Sequence, residues 1–323
     1  MLVPGDMVKP ETLNPGVLSV SALVAPAEGA VVPAASAEPT IDNYFVCVGA
    51  QKSGTTWLAR VLADHPEVFV TPVKEIHYFD HIRGLTQHLS DRKFRSRYRK
   101  FHQKLWTQPH RLRHNWRLWS WYRDYMSRPL DDAWYVNLFR QRGGKTMAGE
   151  VTPEYALIGR EGFEHIRRLA PAARVLYIMR NPVTQGWSQV LHHCRANGLD
   201  VTRLSAHEVI ALCDMPRVME LGDYRRTLDE LFAVFDAEQT RIFFYEDIHQ
   251  DRARAIAEVC KFLHVGFAPA KLPGLTRRFN ISEPVALPEG VRAHLRVRLK
   301  PQAEAVRGRM GRLPESWRAE FSI

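Results

Sequence analysis

Tyr44-Phe-Val-Cys-Val-Gly-Ala-Gln-Lys-Ser-Gly-Thr-Thr-Trp-Leu58 is the stretch that decides the fold. The apolar run Tyr44–Val48 reads as a buried strand. A glycine-bounded loop, Gly49–Gly54, follows it, and the amphipathic pattern over roughly Thr55–Ala63 reads as a helix. Strand, tight loop and helix in that order make a phosphate cradle, because loop amides and the positive end of the helix dipole point at one anion. The spacing Gly49-x4-Gly54 is that of a nucleotide P-loop, yet Thr55-Thr56 stands where an ATPase carries Lys-Ser/Thr. The lysine sits inside the loop, at Lys52. A cradle without the usual lysine and magnesium hydroxyl points to a nucleotide other than ATP.

Outward from this stretch, strands and helices alternate. Val68–Thr71, Lys145–Val151, Arg174–Met179 and Arg241–Tyr245 read as further strands, the third an almost unbroken apolar run suited to a buried parallel strand. Helical patterns cover Phe163–Leu169, Thr184–Ala196, Leu204–Cys213, Tyr224–Phe235, Arg254–Leu263 and roughly 289–308. The expectation is an α/β fold: a P-loop-type parallel sheet flanked by helices on both faces. The length of 323 residues suits a single domain over 41–323 after a flexible leader, 1–40. Val17–Ala37 is rich in Ala, Val and Pro but has no basic stretch before it, and Pro26, Glu28 and Pro33 interrupt it, so it does not read as a signal peptide.

The charge is unevenly placed. Net charge is +10, and between Arg83 and Arg128 there are thirteen Lys/Arg against two acids, Asp91 and Asp124. The other residues hold 32 basic and 33 acidic side chains, so the whole excess lies in one segment. That segment also carries Phe94, Tyr98, Phe101, Trp106, Trp116, Trp119, Trp121, Tyr122 and Tyr125. Residues 83–135 therefore read as a basic, aromatic-rich, mostly helical insertion. The four cysteines, Cys47, Cys194, Cys213 and Cys260, are far apart and form no CxxC pair, which suits free thiols in a reducing, cytoplasmic compartment. No run of about 18 apolar residues exists, so no integral membrane segment is expected.

Gly49-Ala50-Gln51-Lys52-Ser53-Gly54-Thr55-Thr56-Trp57-Leu58 resembles the 5′-phosphosulfate loop of sulfotransferases that use 3′-phosphoadenosine 5′-phosphosulfate (PAPS). The resemblance implies that Lys52, Ser53, Gly54, Thr55, Thr56 and Trp57 hold the 5′ side of PAPS. It also implies that Lys52 stabilises charge on the bridging oxygen as the sulfuryl group leaves, with PAP (3′-phosphoadenosine 5′-phosphate) as product. Arg180-Asn181-Pro182 ends the strand at 174–179, and Ser188 lies eight residues past Arg180. Ligands of open α/β sheets sit at the carboxyl ends of strands, and the pair is similar to the family's 3′-phosphate site. Arg277-Arg278 loosely matches the family's late basic loop over the 3′-phosphate and adenine. The likeness runs over roughly residues 42–323.

Lys74-Glu75-Ile76-His77-Tyr78-Phe79-Asp80 resembles a segment of the heparan-sulfate-type sulfotransferases in which the glutamate is the catalytic base. That implies Glu75 as base, with a pKa raised by the anionic donor. His77 is the other candidate base, since cytosolic relatives use histidine, and Asp80 reads as structural. Thr152-Pro153-Glu154-Tyr155 is similar to a stretch near the acceptor groove, where Glu154 or Tyr155 would touch acceptor; a turn after a strand accounts for it equally well. Sulfuryl transfer needs positioning and charge neutralisation rather than a metal. No metal-ligand cluster is visible in the sequence: His77 has no helical HxxxH partner, and His192 and His193 point to different helix faces.

The expected activity is transfer of a sulfuryl group from PAPS to a hydroxyl or amine of a small-molecule or glycan acceptor, with a homodimer left open. The basic insertion would steer an anionic acceptor; its aromatics could stack on sugars or pack into the core. Two other readings stand beside this one. A P-loop kinase or NTPase would need a lysine at Thr55 and a strand-end Asp for magnesium. A nucleic-acid-binding protein would use the 83–128 patch, whereas the enzymatic reading expects no nucleic acid partner.

Overall fold

Tyr44–Gly49 is buried along its whole length and forms β1, the middle strand of a parallel sheet. The computed structural model describes residues 39–107, 116–277 and 285–323. Four more strands complete the sheet: β2 (Val68–Val70), β3 (Met147–Val151), β4 (Arg174–Met179) and β5 (Thr240–Phe244). Their order is β2-β3-β1-β4-β5, and every pairing is parallel. Residues Glu38–Ile323 make one compact unit.

Parallel neighbours require long crossovers, and helices fill them. α1 (Thr55–Asp64) joins β1 to β2. Between β2 and β3 run α2 (Tyr78–Ile82), α3 (Asp91–Thr107), α4 (Trp116–Tyr125) and α5 (Asp132–Arg140), so the described part of the basic insertion is largely helical. α6 (Gly159–Leu169) precedes β4. α7 (Pro182–Ala196), α8 (Ala206–Cys213), α9 (Pro216–Glu220) and α10 (Tyr224–Phe232) lie between β4 and β5. α11 (Tyr245–Gln250), α12 (Arg252–Leu263), α13 (Glu289–Met310) and α14 (Glu315–Phe321) close the chain.

Side chains alternate across a strand, and both faces of this sheet are covered. Tyr44, Val46 and Val48 pack with α5, α6, α7, α10 and α13; Phe45 and Cys47 pack with α1 and α12. β4 repeats the pattern, with Val175, Tyr177 and Met179 on the first face and Leu176 and Ile178 on the second. This two-sided burial is why β1 and β4 read as continuous apolar runs. Gly149 lets β3 lie close to β1, since a Cβ there would come within 2.1 Å of the Phe45 carbonyl oxygen.

Helix starts differ from the sequence expectation where caps intervene. α7 begins at Pro182 rather than Thr184, because the Asn181 side chain accepts from the Val183 and Thr184 amides and proline suits the first helical position. α8 begins at Ala206 rather than Leu204, behind a Ser205–Glu208 capping box. α10 ends at Phe232, three residues before Phe235. No helix among the described residues is long and apolar enough to cross a membrane.

Candidate functional site

The loop from Gly49 to Gly54 leaves the carboxyl end of β1 and turns into α1. Gly54 has φ 84°, in the left-handed region, and a Cβ there would lie 3.1 Å from the Tyr245 ring, so both backbone and space call for glycine. α1 has no side-chain cap, which leaves its first amides free to meet an anion. Ser53 is fully buried, and Trp57 Nε1 is buried with no hydrogen-bond partner. Buried donors are rarely left unpaired. This orphaned group and the uncapped helix suit a bound phosphate-bearing group. Thr55 is buried and Thr56 half-buried in the same turn.

Lys52 takes φ 68°. Burial lowers its pKa first, followed by the charges of Arg195 and Arg180, with Glu75 acting the other way. Arg180 leaves the end of β4. Its Nη1 donates to the Lys52 carbonyl at 3.1 Å, its Nε donates to Thr184 Oγ1 at 3.1 Å, and its guanidinium lies 4.8 Å from the Tyr245 ring centroid. Tyr224 OH donates to the Arg180 carbonyl at 2.7 Å, which fixes the backbone. The arginine thus ties the β4 end to the β1 loop. Ser188 lies one turn beyond Thr184 on the same face of α7. That face continues to His192 and Arg195, whose charges couple to Lys52. The sequence reading missed Arg195, although the spacing 184, 188, 192, 195 marks one helical face.

Arg277 is exposed on a turn that Arg252 holds, with Arg252 Nη1 donating to the Thr276 and Arg277 carbonyls at 3.3 and 3.0 Å. Arg252 also lies 5.7 Å from the Trp57 ring centroid, so the turn is tied to the start of α1. Arg278 lies outside the described residues.

Glu75 and His77 flank Ile76 ahead of α2, and both have φ 62°. Glu75 is paired with Lys74, and His77 Nε2 lies 3.7 Å from Glu75 Oε2. His77 Nδ1 lies 2.7 Å from Asp80 Oδ2, which also accepts from Thr86 Oγ1 at 2.8 Å. Burial works against the charge on both Glu75 and His77. The His77 hydrogen bond and the Lys74 charge nonetheless pull Glu75 down to about 2. Hydrogen bonds donated to Asp80 and Glu75, with the Asp80 and Glu154 charges, lift His77 to about 9. Two cations sit against the Glu75 carboxylate, and the upward shift expected from an anionic donor would work against them.

Among the described residues, Lys52, Glu75 and His77 are three of only six non-glycine positions with positive φ. Such a conformation costs roughly 1–3 kcal/mol per residue and persists where the surroundings impose it. The strain falls on the three residues singled out as catalytic candidates.

Tyr155 is fully buried, so it is not exposed for contact with an acceptor; it supports the site from beneath. Glu154 is nearly buried and is paired with Arg217 of α9, His77 and His88. Burial pushes the Glu154 pKa up, but His88, His77 and Arg217 outweigh it and hold the carboxylate ionised. The His88 and His77 rings stack at 3.8 Å and 17°. His77, His88 and Glu154 place donor atoms within 4.8 Å of one another, a grouping that residue spacing did not reveal. Parallel stacking sends the in-plane lone pairs of the two rings side by side, not toward one point, and His77 Nδ1 is engaged by Asp80.

The insertion divides its aromatics. Phe94, Phe101, Trp121 and Tyr125 are buried, while Tyr98, Trp116 and Trp119 are exposed, Trp116 by 70%. Arg97 donates to the Tyr125 hydroxyl and Arg128 lies over the Phe94 ring. Core packing and an exposed basic face thus coexist on the same helices.

A family model described as the sulfotransferase family matches residues 45–269, from β1 past Arg180 and Ser188 to the end of the α/β core. No curated protein sequence matches the chain. Among solved structures, a sulfotransferase from Alicyclobacillus acidocaldarius is similar with a TM-score of 0.59 and 20% identity, over 86% of this chain and 99% of that one. The sulfotransferase domain from the curacin biosynthetic pathway gives 0.49 and 19%, over 76% and 81%. That from the Synechococcus PCC 7002 olefin synthase gives 0.48 and 17%, over 80% and 95%. At such identities the first likeness speaks for the fold, and the family match over most of the compact unit speaks for descent. The chain belongs to the sulfotransferase family.

Proposed function

We propose that the protein uses PAPS as donor and transfers its sulfuryl group to a hydroxyl or amine of a glycan or small-molecule acceptor. The observation that carries this is the convergence of Lys52, after β1, Arg180, after β4, and Glu75, in the connection after β2, with the Arg180 and Glu75 charges acting on Lys52. PAPS supplies the sulfuryl group and leaves as PAP. On the 5′ side, Lys52, Ser53, Gly54, Thr55, Thr56 and Trp57 bind the donor. On the 3′ side, Arg180 and Ser188 bind, and Arg277 and Arg278 are assigned to the 3′-phosphate and adenine by the family resemblance.

Glu75 takes the acceptor proton as the acceptor oxygen or nitrogen attacks sulfur and the bridging S–O bond breaks. The Lys52 ammonium meets the charge left on the bridging oxygen. His77 is held as an imidazolium by Glu75, Asp80 and Glu154. An imidazolium has no lone pair to accept a proton, so the role of base falls to Glu75 and His77 orients it. The Glu75 carboxylate is ionised at rest and therefore able to accept the proton.

The exposed basic face of α3 and α4 steers an anionic acceptor, and the exposed tryptophans suit sugar faces. The four cysteines are buried and unpaired, in keeping with a reducing cytoplasmic setting. The testing experiment is thermal stabilisation by nucleotide together with an acceptor screen using radiolabelled PAPS. PAP is expected to raise the melting temperature and Mg-ATP to leave it unchanged; the reverse result would overturn the reading.

A further inference from the structure

Glu150 is an acid inside the short buried strand β3, with no exposed surface. A carboxyl group in that position is unusual unless it is fully hydrogen-bonded. Four uncharged donors surround it. Oε2 accepts from the Ile76 amide at 3.1 Å and from Thr152 Oγ1 at 2.5 Å. Oε1 accepts from Tyr135 OH at 2.5 Å and from Tyr155 OH at 2.9 Å.

The protons can be followed one by one. The Ile76 amide is shared between Glu150 and Thr152 Oγ1, at 3.1 Å each, so the threonine proton is free to go to Glu150. The Tyr78 amide donates to Tyr155 OH at 3.0 Å, so the tyrosine proton goes to Glu150. Tyr44 and Tyr135 hydroxyls lie 2.5 Å apart, and with Tyr135 donating to Glu150 the Tyr44 proton closes the chain. Every donor points inward to one carboxylate.

The two backbone amides in this network are those of Ile76 and Tyr78. Ile76 lies between Glu75 and His77, and Tyr78 follows His77. Both Glu75 and His77 are in left-handed backbone, which no local preference favours. The same short stretch of chain, 150–155, also sends Glu154 to the His77 ring at 3.4 Å.

We propose that Glu150 and Tyr155 form a buried clamp that positions Glu75 and His77 for proton transfer. The clamp grips the backbone on either side of His77 and touches neither donor nor acceptor, so these are positioning residues. The inference rests on Glu75 as base.

The test compares Glu75→Gln, Glu150→Gln, Tyr155→Phe and a core control, Leu138→Ala, in the full chain. The readouts are PAP release from PAPS with water as acceptor, KM for PAPS, and the titration of His77 by NMR, its signal identified with His77→Gln. Tyr155→Phe keeps the ring and removes one hydroxyl, so it decides the matter if Glu150→Gln fails to fold. The expected result is a turnover at least ~10-fold lower in Tyr155→Phe and Glu150→Gln, with KM for PAPS within ~2-fold. The His77 midpoint should also fall from about 9 toward its ordinary value, while Leu138→Ala loses stability and keeps both turnover and the His77 midpoint. If Glu75→Gln is inactive while Tyr155→Phe keeps full turnover and an unmoved His77, the clamp is refuted and the base assignment stands. If Glu75→Gln is fully active, the base assignment fails and takes the clamp with it.

Discussion

The His77 imidazole lies 3.7 Å from the Glu75 carboxylate, and the two hold each other charged. His77 is raised to about 9 in the folded chain, above its ordinary value near 6.5. A group raised on folding stabilises the fold fully below its unfolded pKa and loses that contribution as pH climbs through the folded one. Stability is thus expected to drop between about pH 6.5 and 9, by on the order of 3 kcal/mol. Turnover should fall on the alkaline side near pH 9, as Glu75 loses its orienting cation. Denaturant unfolding at several pH values checks this, and His77→Gln should flatten the dependence. Glu75 is shifted the opposite way, so its contribution is present above about 4.5 and disappears as pH falls through about 2.

Glu75→Gln removes the proposed proton acceptor but keeps the shape of the side chain. Turnover is expected to fall by about 10²- to 10⁴-fold. Stabilisation by PAP, read from the melting temperature, should be unchanged. A fully active Gln variant alongside an inactive His77→Ala would reverse the two roles.

Lys52 combines a strained backbone with a partly desolvated charge among other cations. Lys52→Gly relieves the left-handed strain, so unfolding free energy is expected to rise by about 1 kcal/mol. Turnover should nevertheless drop by at least ~10²-fold, because the leaving oxygen loses its counter-charge. Equilibrium unfolding and PAP release from PAPS measure the two effects separately.

Arg180 grips the Lys52 carbonyl, and in the proposed donor site it also faces the second phosphate. Arg180→Ala is expected to weaken PAP binding by about 10- to 100-fold, the range of a charge-assisted hydrogen bond. Arg180→Lys should recover only part of it, since an ammonium cannot reproduce the fork. Calorimetric titration with PAP reads both.

The scaffold was legible because β1 and β4 are apolar runs bounded by turn residues, and the observed β4 matches the expected Arg174–Met179. The cradle was equally plain, since loop, strand and helix are contiguous in sequence. What stayed hidden depends on distant parts of the chain. Ile76 meets Glu150 across 74 positions, and Arg217 meets Glu154 across 63. No periodicity or spacing rule reports such pairs. Glu150 did leave a trace, as the one acid inside Met147–Val151. That Lys74 and the buried His77 together hold Glu75 down is likewise set by the folded loop rather than by spacing in the sequence.

β3, β1 and β4 are immediate neighbours, and from their carboxyl ends hang, in turn, the support of Glu75, the Lys52 loop and Arg180. Adjacent strands keep a spacing of about 4.8 Å that side-chain motion does not stretch. The separation of the proposed proton acceptor, leaving-group cation and phosphate-binding arginine is therefore set by backbone amides that should be among the slowest in the chain to exchange with deuterium. Outer helices can loosen while that distance is kept, until the sheet itself melts.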